Sequence, residues 1–181
     1  MDSLRGQLLV AAPSLIDPNF HRTVVLVAEH NDEGAMGIVL NRESDLEVSE
    51  AAPALADLVE VGARVHAGGP VQPTSVVIMA EFHDVEQSAS LVLGNAGFVV
   101  ADADFDALGA EVGRVRVFAG LAGWAGGQLE AELERDDWIV EPAAIDDIFT
   151  DDADALWSSV LERKGGQYAL VARMPPDPSL N

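Results

Sequence analysis

The stretch that most restricts what this chain can fold into is Gly120-Leu-Ala-Gly123-Trp124-Ala-Gly126-Gly127-Gln128-Leu129-Glu130. Ahead of it, Val115-Arg-Val117-Phe118-Ala119 is short, β-branched and aromatic, the composition of a strand. Behind it, Gln128 to Arg135 is built of good helix formers. The stretch therefore reads as a strand-to-helix corner, with the helix expected to begin near Gly127. Four glycines in eight residues open backbone conformations that other residues avoid, and Trp124 is the one side chain there large enough to anchor the corner.

The remaining elements place this corner in a sheet. Gly6 to Ala12 reads as a first strand, and Pro13 to Phe20 as a loop punctuated by two prolines. Thr23 to Glu29 is almost continuously apolar, as in a strand buried on both faces. His30 to Gly34 reads as the turn of a hairpin into Ala35 to Leu40, with Gly34 supplying a positive φ and Asn41-Arg42 closing it. Between Ser49 and Glu60, Ala51, Leu55, Leu58 and Val59 fall at helical spacing, with Ser49 as N-cap and Pro53 near the first turn. Further strands are expected at Val65 to Val71, Ser75 to Phe82, Leu91 to Gly94, Gly97 to Ala101 and Trp138 to Val140. Helices are expected after Asp104, from about Ala143 to Phe149 and from about Asp152 to Arg163. Gln167 to Ala172 fits a last strand or a third short helix, and the tail from about residue 174 reads as loose. No repeat or long linker divides the chain. The expectation is one α+β domain over residues 1–181, with a large mixed β-sheet and several short helices. At this length such a domain buries roughly 70% of its unfolded surface.

Composition removes several functions. There are 31 acidic residues against 10 basic ones, a formal charge of −21, and Lys164 is the single lysine. Such a surface repels phosphate backbones, and no basic cluster offsets it, so direct nucleic-acid binding is not expected. The acid excess reads as solubility or adaptation to a salty cytoplasm, with an acidic docking surface as the alternative. With no cysteine, disulfides, thiol nucleophiles, iron–sulfur clusters and thiolate metal sites are excluded. No apolar run reaches the roughly 18 residues of a membrane span, and the first residues lack the basic region and cleavage site of a signal peptide. The chain reads as cytoplasmic, without membrane contact.

Local motifs supply no reaction. Asp102-x-Asp104-x-Asp106 begins like a calcium loop, but Ala107 stands where that loop needs glycine and Gly113 where it needs glutamate, so a helix N-cap is the better reading. His21, His30, His66 and His83 show no metal spacing, and Ser14, Ser75 and Ser158 lack a nucleophile elbow. The chain implies no catalytic set, metal or cofactor. The Gly120 to Gln128 corner has the form of an anion site at a helix start, but Glu130 and Glu132 compete for the same positive end. A structural turn around a packed Trp is the alternative. Arg22 and Arg42 flank core strands and either pair with an internal acid such as Glu29 or hold a ligand carboxylate or phosphate.

Four segments in order resemble the YqgE/AlgH family of small bacterial proteins: Pro13-Ser14-Leu15-x-Asp17-Pro18-Asn19-Phe20-x-Arg22-Thr23-Val24, Glu29-His30-Asn31-x-x-Gly34-Ala35-x-Gly37-x-Val39-x-Asn41-Arg42, Gly68-Gly69-Pro70-Val71, and Gly120-x-x-Gly123-Trp124-x-x-Gly127-Gln128-Leu129-Glu130-x-Glu132-Leu133. The resemblance runs from about Gly6 to Trp157 and implies a single α+β domain with a mixed sheet. It carries over no reaction. One branch is named as a transcriptional regulator of exopolysaccharide synthesis, and any thiol-based role there does not transfer to a chain without cysteine.

Two functions follow as expectations. The first is a non-enzymatic cytoplasmic protein acting through an unknown protein or small-molecule partner, with regulation among its roles. The alternative is an enzyme or sensor that binds a small anion where Asn19, Arg22, Asn41, Arg42, Gly123, Trp124 and Gln128 converge. Open convergence of these residues, as against burial in separate turns, separates the two.

Overall fold

The computed structural model describes residues 2–87, 90–100 and 102–177. Its strands are β1 (Gln7–Ala11), β2 (Val24–Asn31), β3 (Gly34–Val39), β4 (Glu43–Glu47), β5 (Arg64–Ala67), β6 (Val71–Phe82), β7 (Ser90–Leu93), β8 (Ala96–Phe98), β9 (Val112–Ala125) and β10 (Trp138–Pro142). Between and after them lie α1 (Val48–Ala51), α2 (Phe105–Leu108), α3 (Gln128–Glu134), α4 (Ile145–Ile148), α5 (Leu156–Lys164) and α6 (Tyr168–Val171). They form one ten-stranded sheet in the order β10-β1-β2-β3-β9-β6-β8-β7, with β4 and β5 joined to it through β9. Pairing is antiparallel among the described residues except between β5 and β9, so one parallel contact makes the sheet mixed.

The long strand β9 organises the sheet. Its first part pairs β6 from Val112 to Leu121, and its last four residues pair β3, Ala35 opposite Trp124. The β5 contact at Phe118 and Ala119 precedes the β3 contact along the strand. Gly120, at φ +80°, lies between the two contacts, pressed against Gly69 so closely that a Cβ on either would meet the other segment's backbone at 2.1–2.3 Å. Two of the glycine motifs are thus halves of one contact that no side chain can enter. The corner itself is shorter than expected. Gly120 and Gly123 belong to β9, only Gly126-Gly127 turns, and Gly127 at φ 79° stands at the N-cap of α3.

The β1–β3 layer is buried on both faces, as the apolar run of β2 predicts. One face packs Leu8, Val10, Leu26 and Ile38 against Ile148, Trp157, Val160 and Leu161 of α4 and α5. The other packs Leu9, Val25, Val27 and Val39 against Trp124, Leu129 and Trp138. Val48, Leu55, Val65, Ile78 and Val117 form a third cluster. The hairpin closes through Asp32-Glu33, with Gly34 at φ 143°.

Two readings need correction. The helix expected from Ser49 to Glu60 is instead α1 and a 3₁₀ turn (Pro53–Leu58), and Glu47 takes the N-cap position in place of Ser49. Proline at position 53 drives Ala52 out of the helical region, to φ −142°, ψ 74°, which breaks the helix there. The strand β4 was not expected because Glu43-Ser-Asp-Leu-Glu47 is polar and mostly exposed, and pairing with β5 alone makes it a strand. Gln167 to Ala172 resolves as α6. The Asp104 carboxylate accepts from the Asp106 and Ala107 N–H groups, which is the N-cap reading of that acid run. In the tail, the Met174 carbonyl accepts from Arg22 Nη1 at 2.9 Å.

Candidate functional site

The anticipated site residues divide into two connected groups. Asn19 and Arg42 meet at a recess of about 140 Å³ lined also by Val39, Ala67, Gly69 and Pro70. Asn41 sits beside it as a backbone splint: its Oδ1 accepts from Val24 N–H and its Nδ2 donates to the Arg22 carbonyl, both at 2.9 Å. That grip falls on Arg22 at φ +57°, a conformation costly for a non-glycine residue. The Arg22 guanidinium lies 3.9 Å from the Trp157 ring centroid, and Arg42 Nη2 donates to the His21 carbonyl at 3.2 Å. Burial lowers both arginines' pKa, and the Asp17 carboxylate pulls Arg42 back up. Among the described residues no carboxylate lies within 4 Å of either, so the ion pair with Glu29 considered from sequence does not form.

Trp124 and Gln128 face elsewhere. Trp124 is buried among Phe20, at 6.2 Å in a stacked pair, and Trp138, at 6.1 Å edge-on. Glu132 Oε2 accepts from both indole N–H groups at 2.8 Å, while its Oε1 accepts from Gln128 Nε2 at 3.0 Å. Gln128 Oε1 accepts from Ala125 N–H, and Gly123 lies exposed on β9. Glu130, the other acid in that turn, accepts from His30 Nε2 at 2.9 Å, and this bond holds its carboxyl below the usual range. The two glutamates are thus fixed to specific donors, and the corner's polar groups are absorbed by the fold.

A different opening, about 550 Å³, lies over the β4–β5–β9 surface. On its floor are His66 of β5 and Arg116 of β9, with Glu43 of β4 directly opposite His66 in register. His66 is 2% exposed. Its Nδ1 lies 3.3 Å from the Arg64 carbonyl and its Nε2 lies 3.4 Å from Arg116 Nη1. These partners assign the proton to Nδ1 and leave Nε2 as acceptor. Burial, followed by the Arg116 charge, pushes the imidazole down to about 4, so it is neutral near pH 7.

Arg116 Nη1 also donates to the Thr150 carbonyl at 2.6 Å. Burial lowers its pKa, and Asp151, Glu43 and Glu60 raise it by charge alone. Among the described residues none of them is within 4 Å, and the remaining guanidinium N–H groups have no acceptor. Every buried side-chain nitrogen and oxygen described has a partner, so those N–H groups are solvent-accessible, on a residue that lines the cleft. The neighbouring arginines differ. Arg114 is clamped by Glu81 at 2.7 Å and Asp146 at 2.8 Å, and Arg64 reaches Asp45 at 3.4 Å. None of the cleft's charged residues was anticipated. The signal was Arg114 and Arg116 at alternating positions, which places both on one face of an otherwise apolar strand.

The AlgH-like family model matches residues 8–169. The chain belongs to that family. It is 41% identical to a UPF0301 protein of Thermobifida fusca over 99% of this chain and 96% of that one, and 39% identical to one of Mycobacteroides abscessus over 97% and 87%. A crystal structure from Corynebacterium diphtheriae superposes with a TM-score of 0.86 at 30% identity, covering 95% of this chain and 92% of that chain. The solution structure of AlgH from Pseudomonas aeruginosa gives 0.73 at 31% identity, covering 96% and 95%. The fold is therefore a family property. Among the described residues, no helix is long and apolar enough to cross a membrane.

Proposed function

We propose that this protein is a non-enzymatic small-ligand-binding protein of the cytoplasm whose site is the cleft above Arg116 and His66. The observation that carries the proposal is the state of Arg116: a partly buried cation lining a cleft, with no carboxylate in contact and with N–H groups that meet no acceptor from the described chain. Desolvating an arginine costs free energy that a contacting carboxylate normally offsets, and here the offset is left to a molecule from solution. The cleft's volume lies within the roughly 300–1,000 Å³ of small-molecule sites. His66 argues for binding over catalysis. An imidazole pushed to about 4, already turned to Arg116 and closed to solvent, is a weak and inaccessible base at neutral pH. Regulation then runs through a partner that reads the occupied state.

The test is a thermal-shift panel of amino acids, short peptides, amines, carboxylates, sugar phosphates and nucleotides against the native chain and Arg116→Met. At least one compound is expected to raise the native Tm and to lose that effect in the variant. A silent panel, or a response that survives the substitution, overturns the proposal.

The Asn19 and Arg42 recess supports a second reading, a site for a single small oxyanion, because it joins an arginine without a contacting acid to an exposed amide. Asp17 opposes it by charge. An oxyanion response abolished by Arg42→Ala and kept by Arg116→Met would move the site there.

A further inference from the structure

We infer that the ligand of the cleft is a zwitterionic amino-carboxylate, an amino acid or short peptide, with its carboxylate on Arg116 and its ammonium among Glu43, Glu60 and Asp151. This rests on reading the cleft as the binding site and adds the chemistry of what enters it. Of the three arginines lining the cleft, Arg114 is held by Glu81 and Asp146, and Arg64 reaches Asp45. Arg116 is the remaining cation, and it faces four lining carboxylates: Glu43, Asp57, Glu60 and Asp151.

A simple anion entering this space would gain one guanidinium and meet four like charges. A simple cation would satisfy the acids and leave Arg116 desolvated without an acceptor. A molecule carrying both charges resolves both conflicts. The spacing agrees. Asp151, Glu43 and Glu60 line the same cleft and stabilise the charged Arg116, yet among the described residues none makes an ion pair with it, so its guanidinium is left for a ligand carboxylate while the three acids are left for a ligand ammonium. His66 contributes an uncharged nitrogen that engages Arg116 Nη1 and adds no second cation. Leu58, Val115 and Phe149 line the wall, which suits an aliphatic side chain.

The experiment is isothermal titration of the full chain with leucyl-leucine, N-acetyl-leucine, 3-methylbutylamine and inorganic phosphate. Leucyl-leucine is expected to bind, and removing either charge should weaken binding by about tenfold or more, because a partly buried charge then loses its partner. Arg116→Met should abolish dipeptide binding and spare the amine. The double substitution Glu60→Gln with Asp151→Asn, at rim positions away from the core, should weaken the dipeptide and strengthen N-acetyl-leucine. Phosphate or N-acetyl-leucine binding through Arg116 as tightly as the dipeptide overturns the zwitterion and leaves the cleft standing. Dipeptide binding unchanged by Arg116→Met overturns the cleft as well. Silence from all four probes, with an Arg116-dependent response elsewhere in the broader panel, overturns the zwitterion alone; silence in both overturns both.

Discussion

Glu132 and Arg116 are both partly buried charges, and the fold treats them in opposite ways. Glu132 receives two indole N–H groups and an amide, so its oxygens are occupied by the chain. Arg116 donates to one carbonyl and to a distant imidazole nitrogen, and the three carboxylates that raise its pKa by charge make no ion pair with it. The first arrangement fixes a corner: Trp124, Phe20 and Trp138 interlock around an acceptor that sets both indoles. The second leaves a charge whose best partner is absent from the chain. The satisfied polar cluster is the basis for reading the corner as structural, and the incompletely satisfied charge in an open cleft is the basis for the binding site proposed above.

The sharpest way to break this contrast is at Trp124. Trp124→Ala removes a buried ring from an aromatic triad and is expected to cost about 3–5 kcal/mol. Chemical denaturation measures this, and a loss below about 1 kcal/mol would remove the corner from the structural side of the comparison.

Acid titration probes the cleft floor next. Because the folded pKa of His66 is lowered to about 4, the unfolded chain binds a proton that the native state does not as pH falls below the ordinary histidine value. Its contribution is thus complete above about 6.5 and is lost progressively toward 4, amounting to about 3 kcal/mol by linkage. Glu81, held low by its hydrogen bond with Arg114, and Glu130, by its bond with His30, lose their contributions only below about 4.5. Urea midpoints between about 6.5 and 4.5 should therefore fall in the native chain and fall less in His66→Gln. Equal slopes in the two would show that His66 is not held neutral.

Smaller effects sharpen the division between the regions. Glu132→Leu strands two indole donors and Asn41→Ala strands Val24 N–H and the Arg22 carbonyl, so each is expected to cost about 1–3 kcal/mol by denaturant unfolding. Arg116→Met takes the donor from the Thr150 carbonyl and His66 Nε2 but also removes a desolvated cation, so the two effects oppose and it should cost less than Glu132→Leu while eliminating ligand response. A large destabilisation without a binding defect would place Arg116 with Glu132, and the two regions would no longer differ in kind.

Much of this protein was determined by the sequence alone, where the causes are local. The β2–β3 hairpin follows from an apolar run, a polar turn and Gly34; the start of α3 follows from Gly127; the cap of α2 follows from Asp104. The acid excess and the missing cysteines act through composition and need no fold to be read. The polar strand β4, the path of β9 through its glycines and the break at Ala52 escaped because a partner strand, a close backbone approach and a following proline overrode the local pattern. The candidate sites depended on tertiary structure most of all. Asn19 and Arg42 do meet, but Trp124 and Gln128 belong to a different cluster, since Trp124 packs on the face of β9 that carries the aromatic core and Gln128, at the start of α3, bonds Ala125 and Glu132. His66 and Arg116 are fifty residues apart, and Glu43 lies on a third strand. Periodicity assigns each residue to a face of its own strand, but only the pairing of β4, β5 and β9 puts the three on one floor, because register between distant strands is decided by long-range packing.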